Sequence, residues 1–215
     1  MARFRMGEED NYGNSGERTN FFTIKNDGEV KKIRFMYSNS NDVEGLAVHE
    51  VNVNGKTRYV NCLRDYNSPI DDCPLCKAGY IQKAKVYVPV YDCYEEKVYI
   101  WERGKKFLSK LSSLFSRFPD MVAHEFEIER HGAPKSTDTT YEIYEVSHDN
   151  TKLTDLPEIP KVLGGFVLDK NAQEMEEYLK TGTFPNSNGG NNYNQSNVNG
   201  YVPQRRTPSN NRERF

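Results

Sequence analysis

Short stretches of the chain alternate hydrophobic and polar residues, which is the two-residue period of β-strands. The clearest stretch is 85–104, KVYVPVYDCYEEKVYIWERG, where two alternating runs flank a polar turn. Leu46–Val53 and Thr57–Cys62 flank Asn54-Gly55, a dipeptide typical of tight hairpin turns. A similar turn signal lies within residues 21–38 and predicts one more hairpin. We therefore expect a mainly β chain.

The second half of the sequence predicts helices as well as strands. Residues 105–117, KKFLSKLSSLFSR, place large apolar side chains at helical spacing, and Pro119 ends that helix. Strands are expected at residues 122–131 and 139–146, and a short helix over Asn171–Lys180. About five to seven strands around one helix are typical of a small Greek-key barrel of the OB-fold type.

The hairpin at 85–104 is expected to have two different faces, because successive residues of a strand point to opposite sides. One face would pack its aliphatic side chains, namely Val86, Val88, Val90, Val98 and Ile100. The other would mix aromatic rings with cations, a combination that suits base stacking beside phosphate neutralisation. Taken singly, Tyr87 or Tyr99 fits a second core layer better than a ligand role. The hypothesis therefore rests on the set Tyr87, Tyr91, Lys97, Tyr99, Trp101 and Arg103.

Length and composition limit the possible classes of protein. The 215 residues suffice for one good core and carry a net charge of only -2, so any polyanion must be held by a local basic stripe. No apolar run approaches the roughly 20 residues that span a bilayer, so we expect no membrane insertion. We expect a flexible arm at 1–19, one domain at 20–182, and a disordered asparagine-rich tail at 183–215.

A zinc site is predicted within residues 49–76. Cys73-Pro74-Leu75-Cys76 is a CxxC turn that lets two thiolates reach one tetrahedral ion, while His49 and Cys62 can arrive from neighbouring strands. Four such ligands with no open position fit a structural site whose binding energy goes into folding. Cys93 is the alternative to His49 as fourth ligand.

Three other interpretations of the cysteines are weaker. A disulfide is disfavoured because no secretory leader is evident, which argues for a reducing compartment. A thioredoxin-like redox site needs a βαβ pattern that the chain lacks. A zinc deaminase needs H-x-E and P-C-x-x-C, whereas Glu50 directly follows His49 and Pro74 follows Cys73.

The spacing His49, Cys62, Cys73, Cys76, followed by IWERGKKF at 100–107, resembles the single-stranded DNA-binding proteins of tailed phages, the helix-destabilising replication proteins. The resemblance covers roughly residues 20–147. It implies an OB-fold core with an inserted zinc subdomain that coats single-stranded DNA without sequence specificity during replication, recombination and repair. His49, Cys62, Cys73 and Cys76 match the family's zinc ligands.

The same resemblance implies self-association along the strand, contacts with replication proteins, no catalysis, and a location in the cytoplasm of the infected host cell. The family's basic amino-terminal arm is matched only by Arg3 and Arg5, and the tail departs from the family because it is basic. Besides the hairpin residues, the expected DNA contacts are Arg58 and Arg64 near the zinc loop and Lys105 and Lys106 at the start of the helix.

Two other function classes stay open. An RNA-binding protein on the same fold would use the same stacking surface, because stacking accepts any base. A zinc-dependent nuclease or deaminase would need an open metal position and a general base, for which Glu50 is the obvious candidate. The sequence shows no Gly-rich phosphate loop and no nucleophile elbow, so binding is the favoured class.

Overall fold

The computed structural model describes residues 21–134, 136, 138–148 and 156–185. The predicted arm at 1–19 and most of the predicted tail lie outside these residues. The strands are β1 (Val30–Phe35), β2 (Gly45–Val53), β3 (Lys56–Asn61), β4 (Gln82–Asp92), β5 (Lys97–Gly104), β6 (His124–His131) and β7 (Thr140–His148). The helices are α1 (Pro74–Lys77), α2 (Phe107–Arg117) and α3 (Ala172–Thr181).

The seven strands form one antiparallel sheet, so the predicted mainly β class is confirmed. The strand order is β3-β2-β4-β1-β6-β7, and β5 pairs with the other edge of β4. The long β4 pairs with β2 through its first half and with β1 through its second half. In the described part of the chain the ladder is open at β3 and β7, so backbone pairing alone does not establish a Greek-key barrel.

Two of the three predicted hairpins are present. β2 and β3 are joined by Asn54 and Gly55, whose φ angles of 52° and 77° fit the left-handed two-residue turn. β4 and β5 form the second hairpin. The hairpin predicted within residues 21–38 is wrong, because β1 pairs with β4 and β6 on its two edges. Phe21 instead bridges to Ile100, and the Phe22 N–H donates to the Ile100 carbonyl at 2.9 Å.

The main core fills the space between one sheet face and α2. Trp101 lies at its centre and is only 2 % exposed. Its ring contacts those of Phe22, Phe107 and Tyr141, with centroids 5.0–5.6 Å apart. The buried members are Phe22, Ile24, Ile33, Phe35, Tyr37, Val86, Val88, Val90, Trp101, Leu111, Leu114, Met121, Phe126 and Ile128.

The predicted faces of the β4–β5 hairpin are wrong. Opposed residues of an antiparallel pair share a face, and Val88 is opposed to Trp101. Residues 93–96 connect the strands, and an even number of connecting residues makes opposed positions differ in parity. The valines of β4 therefore share a face with residues of β5 that were predicted to lie on the opposite face. This shared face carries Val86, Val88, Val90, Tyr99, Trp101 and Arg103. Tyr87 and Tyr91 point to the other face, where Tyr87 is buried against Val48 and Ile100.

A second core joins α3 to the segment between β3 and β4 that carries Cys73 and Cys76, which we call the metal-ligand loop. Met175 and Tyr178 of α3 pack with Cys73, and Phe184 stacks on Tyr178 with ring centroids 4.6 Å apart. Phe184 is only 2 % exposed, so the predicted boundary of the tail at residue 183 is too early.

None of the helices in the described part of the chain is both long enough and apolar enough to cross a bilayer.

Candidate metal centre and nucleic-acid cleft

Four side chains meet at one point between β2, the end of β3 and α1. His49, Cys62, Cys73 and Cys76 place their ligand atoms within 4.8 Å of one another. The His49 Nε2 lies 3.5 Å from each of the Cys73 and Cys76 Sγ atoms, and the Cys62 and Cys76 Sγ atoms are 3.6 Å apart. Zinc bonds of about 2.3 Å to sulfur and about 2.0–2.1 Å to nitrogen put tetrahedral ligands about 3.5–3.8 Å apart. The four residues therefore lie close enough to hold a metal ion.

The local backbone explains how these ligands meet. Pro74 starts α1 directly after Cys73, so the knuckle closes within one helical turn and points both thiols inward. The Cys62 N–H donates to the Ala47 carbonyl at 2.8 Å, which holds the end of β3 beside β2. The hairpin thus delivers His49 and Cys62 to the same side.

Neighbouring polar groups orient the ligands. The Ile81 carbonyl oxygen lies 3.3 Å from the His49 Nδ1, so Nδ1–H donates to it and the Nε2 lone pair faces the thiols. The Cys62 sulfur accepts from the Arg64 N–H at 3.4 Å and from the Gln82 side-chain amide at 3.2 Å. Such outer contacts are typical of an ordered metal site.

The acid-base properties of two of these groups, His49 and Cys73, suit a cation, whereas those of Cys76 oppose loss of its proton when no cation is bound. Burial lowers the pKa of His49, and the Arg64 guanidinium lowers it further, which favours the neutral ring that a metal requires. Burial alone would raise the pKa of the Cys73 thiol, but backbone N–H groups, including those of Cys76 and Leu63, lower it. Burial raises the pKa of Cys76 to about 12, and the Cys62 thiol adds to the rise.

Two residues considered from the sequence stand apart from this centre. Cys93 is not among the four clustered residues; its N–H donates to the Lys32 carbonyl on β1 at 3.0 Å. Glu50 points away from His49 because neighbouring strand residues face opposite sides, and it pairs with Lys83 at 2.5 Å. All four cysteines are free, so the structure contains no disulfide among them.

An open cleft of about 950 Å³ lies where β4, β5, α2 and β7 meet. The cations along it are Lys83, Lys85, Arg103, Lys105, Lys106 and Lys110. Its aromatic lining is Tyr66, Phe107 and Tyr141, and Tyr66 is 96 % exposed. No carboxylate lines the cleft among the described residues.

Arg103 is the cleft cation that stacks on several aromatic rings. Its guanidinium lies over the rings of Trp101, Phe107 and Tyr141, at 4.9, 5.8 and 4.5 Å from their centroids. Its Nε is buried without a hydrogen-bond partner in the described part of the protein. A buried donor without a partner is costly, and the stacking on three rings holds this guanidinium in place.

The remaining cleft cations differ in their partners. Lys83 and Lys85 are ion-paired with Glu50 and Glu102, at 2.5 and 2.6 Å. Lys105 and Lys106 have no carboxylate partner among the described residues, and the Lys110 ammonium donates to the Tyr141 carbonyl. The part of the cleft around α2 therefore has the greater net positive charge.

The structure groups only some of the predicted nucleic-acid contacts. Arg103, Lys105 and Lys106 line the cleft. Trp101 is buried beneath Arg103, and Tyr87 is buried on the opposite sheet face, so neither offers a free ring. The residues outside the cleft lining are Arg58, Arg64, Tyr87, Tyr91, Lys97, Tyr99 and Trp101.

Sequence reasoning missed several cleft residues. Tyr66 lies in a loop with no periodic signal, and Tyr141 lies on β7, which follows β6 in sequence but lies beside α2 in space. Lys83 and Lys85 are two residues apart at the start of β4 and therefore lie on the same face of the strand. A strand predicted to begin three residues earlier would have included both of them.

No protein-family model matches the chain, and no curated protein is detectably similar to it in sequence.

Proposed function

We propose that this protein binds single-stranded DNA without sequence specificity, in the cleft between β4, β5, α2 and β7. The observation that supports it is the lining of six cationic residues and three aromatic rings. Two of the six, Lys83 and Lys85, are ion-paired with carboxylates, so the unpaired positive charge of the described cleft residues lies around α2. Cations neutralise phosphates, and exposed rings stack on any unpaired base. Duplex DNA keeps its bases stacked inside, so Tyr66 would gain much less from it.

The same proposal assigns the metal centre a structural role with Zn²⁺ as the ion. Three thiolates and one imidazole are soft and borderline ligands that suit zinc, and four protein ligands complete its tetrahedral shell. The ion would fix the loop that carries Tyr66, because Cys62 and Cys73 bracket that loop. No catalytic role is proposed, since Glu50, the general base considered from the sequence, faces away from the centre.

The wider biological role rests on the resemblance to the helix-destabilising proteins of tailed phages. It would comprise coating of single strands on an OB-type barrel during replication, recombination and repair, self-association along the strand, and contacts with replication proteins. It also implies a location in the cytoplasm of the infected host cell. Competition between matched DNA and RNA strands separates this role from RNA binding on the same cleft.

The test is a titration of fluorescently labelled single strands at several salt concentrations. Each phosphate contact contributes about -0.7 to the slope of log affinity against log salt for single strands. Arg103→Ala, Lys105→Ala and Lys106→Ala should each flatten the slope by about that amount. Lys97→Ala is the matched control, because Lys97 lies on the same hairpin but outside the cleft.

A second pair of variants, one test and one control, measures the contribution of base stacking. Tyr66→Ala should weaken binding by on the order of 1–3 kcal/mol at every salt concentration. Tyr94→Ala removes another highly exposed ring, 80 % exposed, that does not line the cleft, and should leave affinity unchanged. The proposal fails if folded cleft variants bind like the wild type, or if duplex binds as tightly as single strands.

A further inference from the structure

The outer face of β6 and β7 carries acidic and apolar side chains that no element of the described chain covers. It comprises Glu127 and Glu129 of β6, Glu142 and Tyr144 of β7, and Val30 of β1, which we call the acidic face. Tyr144 is 49 % exposed and Val30 46 %. This face lies on the other side of β7 from the cleft-lining Tyr141, because successive strand residues point to opposite sides.

Within the described residues, few cations neutralise the carboxylates of the acidic face. Glu129 is directly opposed to Glu142, and opposed like charges destabilise a sheet. Among the described residues, the nearest cationic group to both is the His131 imidazole, whose Nε2 lies 3.8 Å from each and is charged only when protonated. Lys32 shares the face, but its ammonium is paired with Glu125 at 2.5 Å. A positively charged partner would therefore complement the charge of this face.

One segment of the chain has matching chemistry. Residues 201–215, YVPQRRTPSNNRERF, carry four arginines against the single Glu213, and aromatic residues at both ends. Residues 1–20 carry three arginines against four carboxylates and are therefore a poorer match. The intervening residues 186–200 can span up to about 50 Å, and such tethering gives an effective concentration in the millimolar range.

We propose that the arginine-rich segment 201–215 docks on the acidic face of its own chain. Arg205, Arg206, Arg212 and Arg214 would pair with the carboxylates, and the terminal aromatic side chains would cover the exposed apolar ones. The interaction is electrostatic and surface-exposed, so salt weakens it. It involves no nucleic acid and is independent of the proposed DNA binding.

Trypsin cleavage after Arg205 and Arg206 of the full-length protein, followed by mass spectrometry, tests this docking. The triple variant Glu127→Gln, Glu129→Gln, Glu142→Gln should be cut there about three- to tenfold faster than wild type at low salt, as expected for a few exposed ion pairs. At about 1 M salt, where the Debye length is about 3 Å, the two should be cut equally. The control variant makes the same charge change at three exposed carboxylates elsewhere, Glu158→Gln, Glu176→Gln, Glu177→Gln.

Each outcome bears on the proposal. Docking within one chain is supported if wild type and the control variant are both cut more slowly than the acidic-face variant and if their cleavage rates do not change on dilution. Equal cleavage of wild type and the acidic-face variant overturns it, as does acceleration by the control variant. Protection that is lost on dilution also overturns it, because the segment would then dock on a neighbouring copy. Nuclear magnetic resonance gives a second measurement that leaves the sheet unchanged: replacing the four arginines by glutamine should shift the backbone amides of β6 and β7.

Discussion

Replacing Cys73 by serine tests the metal centre most directly. Cys73 is fully buried in the core that also contains Leu75, Met175 and Tyr178, so the site and the second core are one unit. Structural zinc contributes apparent binding energies of about 10–16 kcal/mol, whereas a whole domain is stable by about 5–15 kcal/mol. Loss of one ligand should therefore unfold the loop between β3 and β4 and release α3.

The assay combines metal content with denaturant unfolding on the same sample. Wild type should hold one zinc per chain after dialysis, and Cys73→Ser should lose it and unfold at a much lower urea concentration. Cys93→Ser is the matched control, because Cys93 lies outside the ligand cluster. It should keep the metal and change the free energy of unfolding by about 1 kcal/mol or less. Wild type that is fully stable without bound metal would refute this prediction. So would a Cys73→Ser variant that keeps both the metal and the stability of wild type.

Two further predictions concern stability away from the metal. The pKa of Glu125 is lowered to about 2, mainly by the hydrogen bond from Lys32, so its stabilising contribution is complete above its ordinary pKa near 4.5 and is lost as the pH falls towards 2. Glu125→Gln should lower the free energy of unfolding at neutral pH by about 1–3 kcal/mol and flatten this acid dependence; a variant with an unchanged urea midpoint and pH profile would contradict it. Gly165→Ala places a Cβ 2.1 Å from the Lys161 carbonyl oxygen and should cost about 1–3 kcal/mol, whereas Gly104→Ala meets nothing within 4 Å and should be nearly neutral in thermal unfolding. Equal melting temperatures for the two alanine variants would contradict this steric argument.

The cluster of four metal-ligand residues and two hairpins could be predicted because their determinants are local. Asn54-Gly55 sets the β2–β3 turn, and that hairpin together with the Cys73–Cys76 knuckle assembles the ligands within a short piece of chain. Periodicity likewise located α2 and α3 to within a few residues.

The cleft could not be predicted, because it depends on pairings between distant segments. Which face of β5 is buried depends on the number of residues in the 93–96 connection, and assuming the wrong parity placed Trp101 outside the core. Phe22 was expected in a hairpin with β1, but both edges of that strand are taken by β4 and β6. Alternation gives the two sides of a strand, and only the neighbouring strands decide which side is buried.

The position of α3 over the metal-ligand loop has a consequence for the order of assembly. The loop and its hairpin are complete some ninety residues before α3 in the chain, so a growing polypeptide presents the four ligands before their cover exists. An ion could enter freely at that stage. Once Met175 and Tyr178 have packed against Cys73 and Leu75, the ion would be enclosed, and its exchange would require α3 to detach first. The rate of metal exchange in the finished protein would then report how often its C-terminal helix opens.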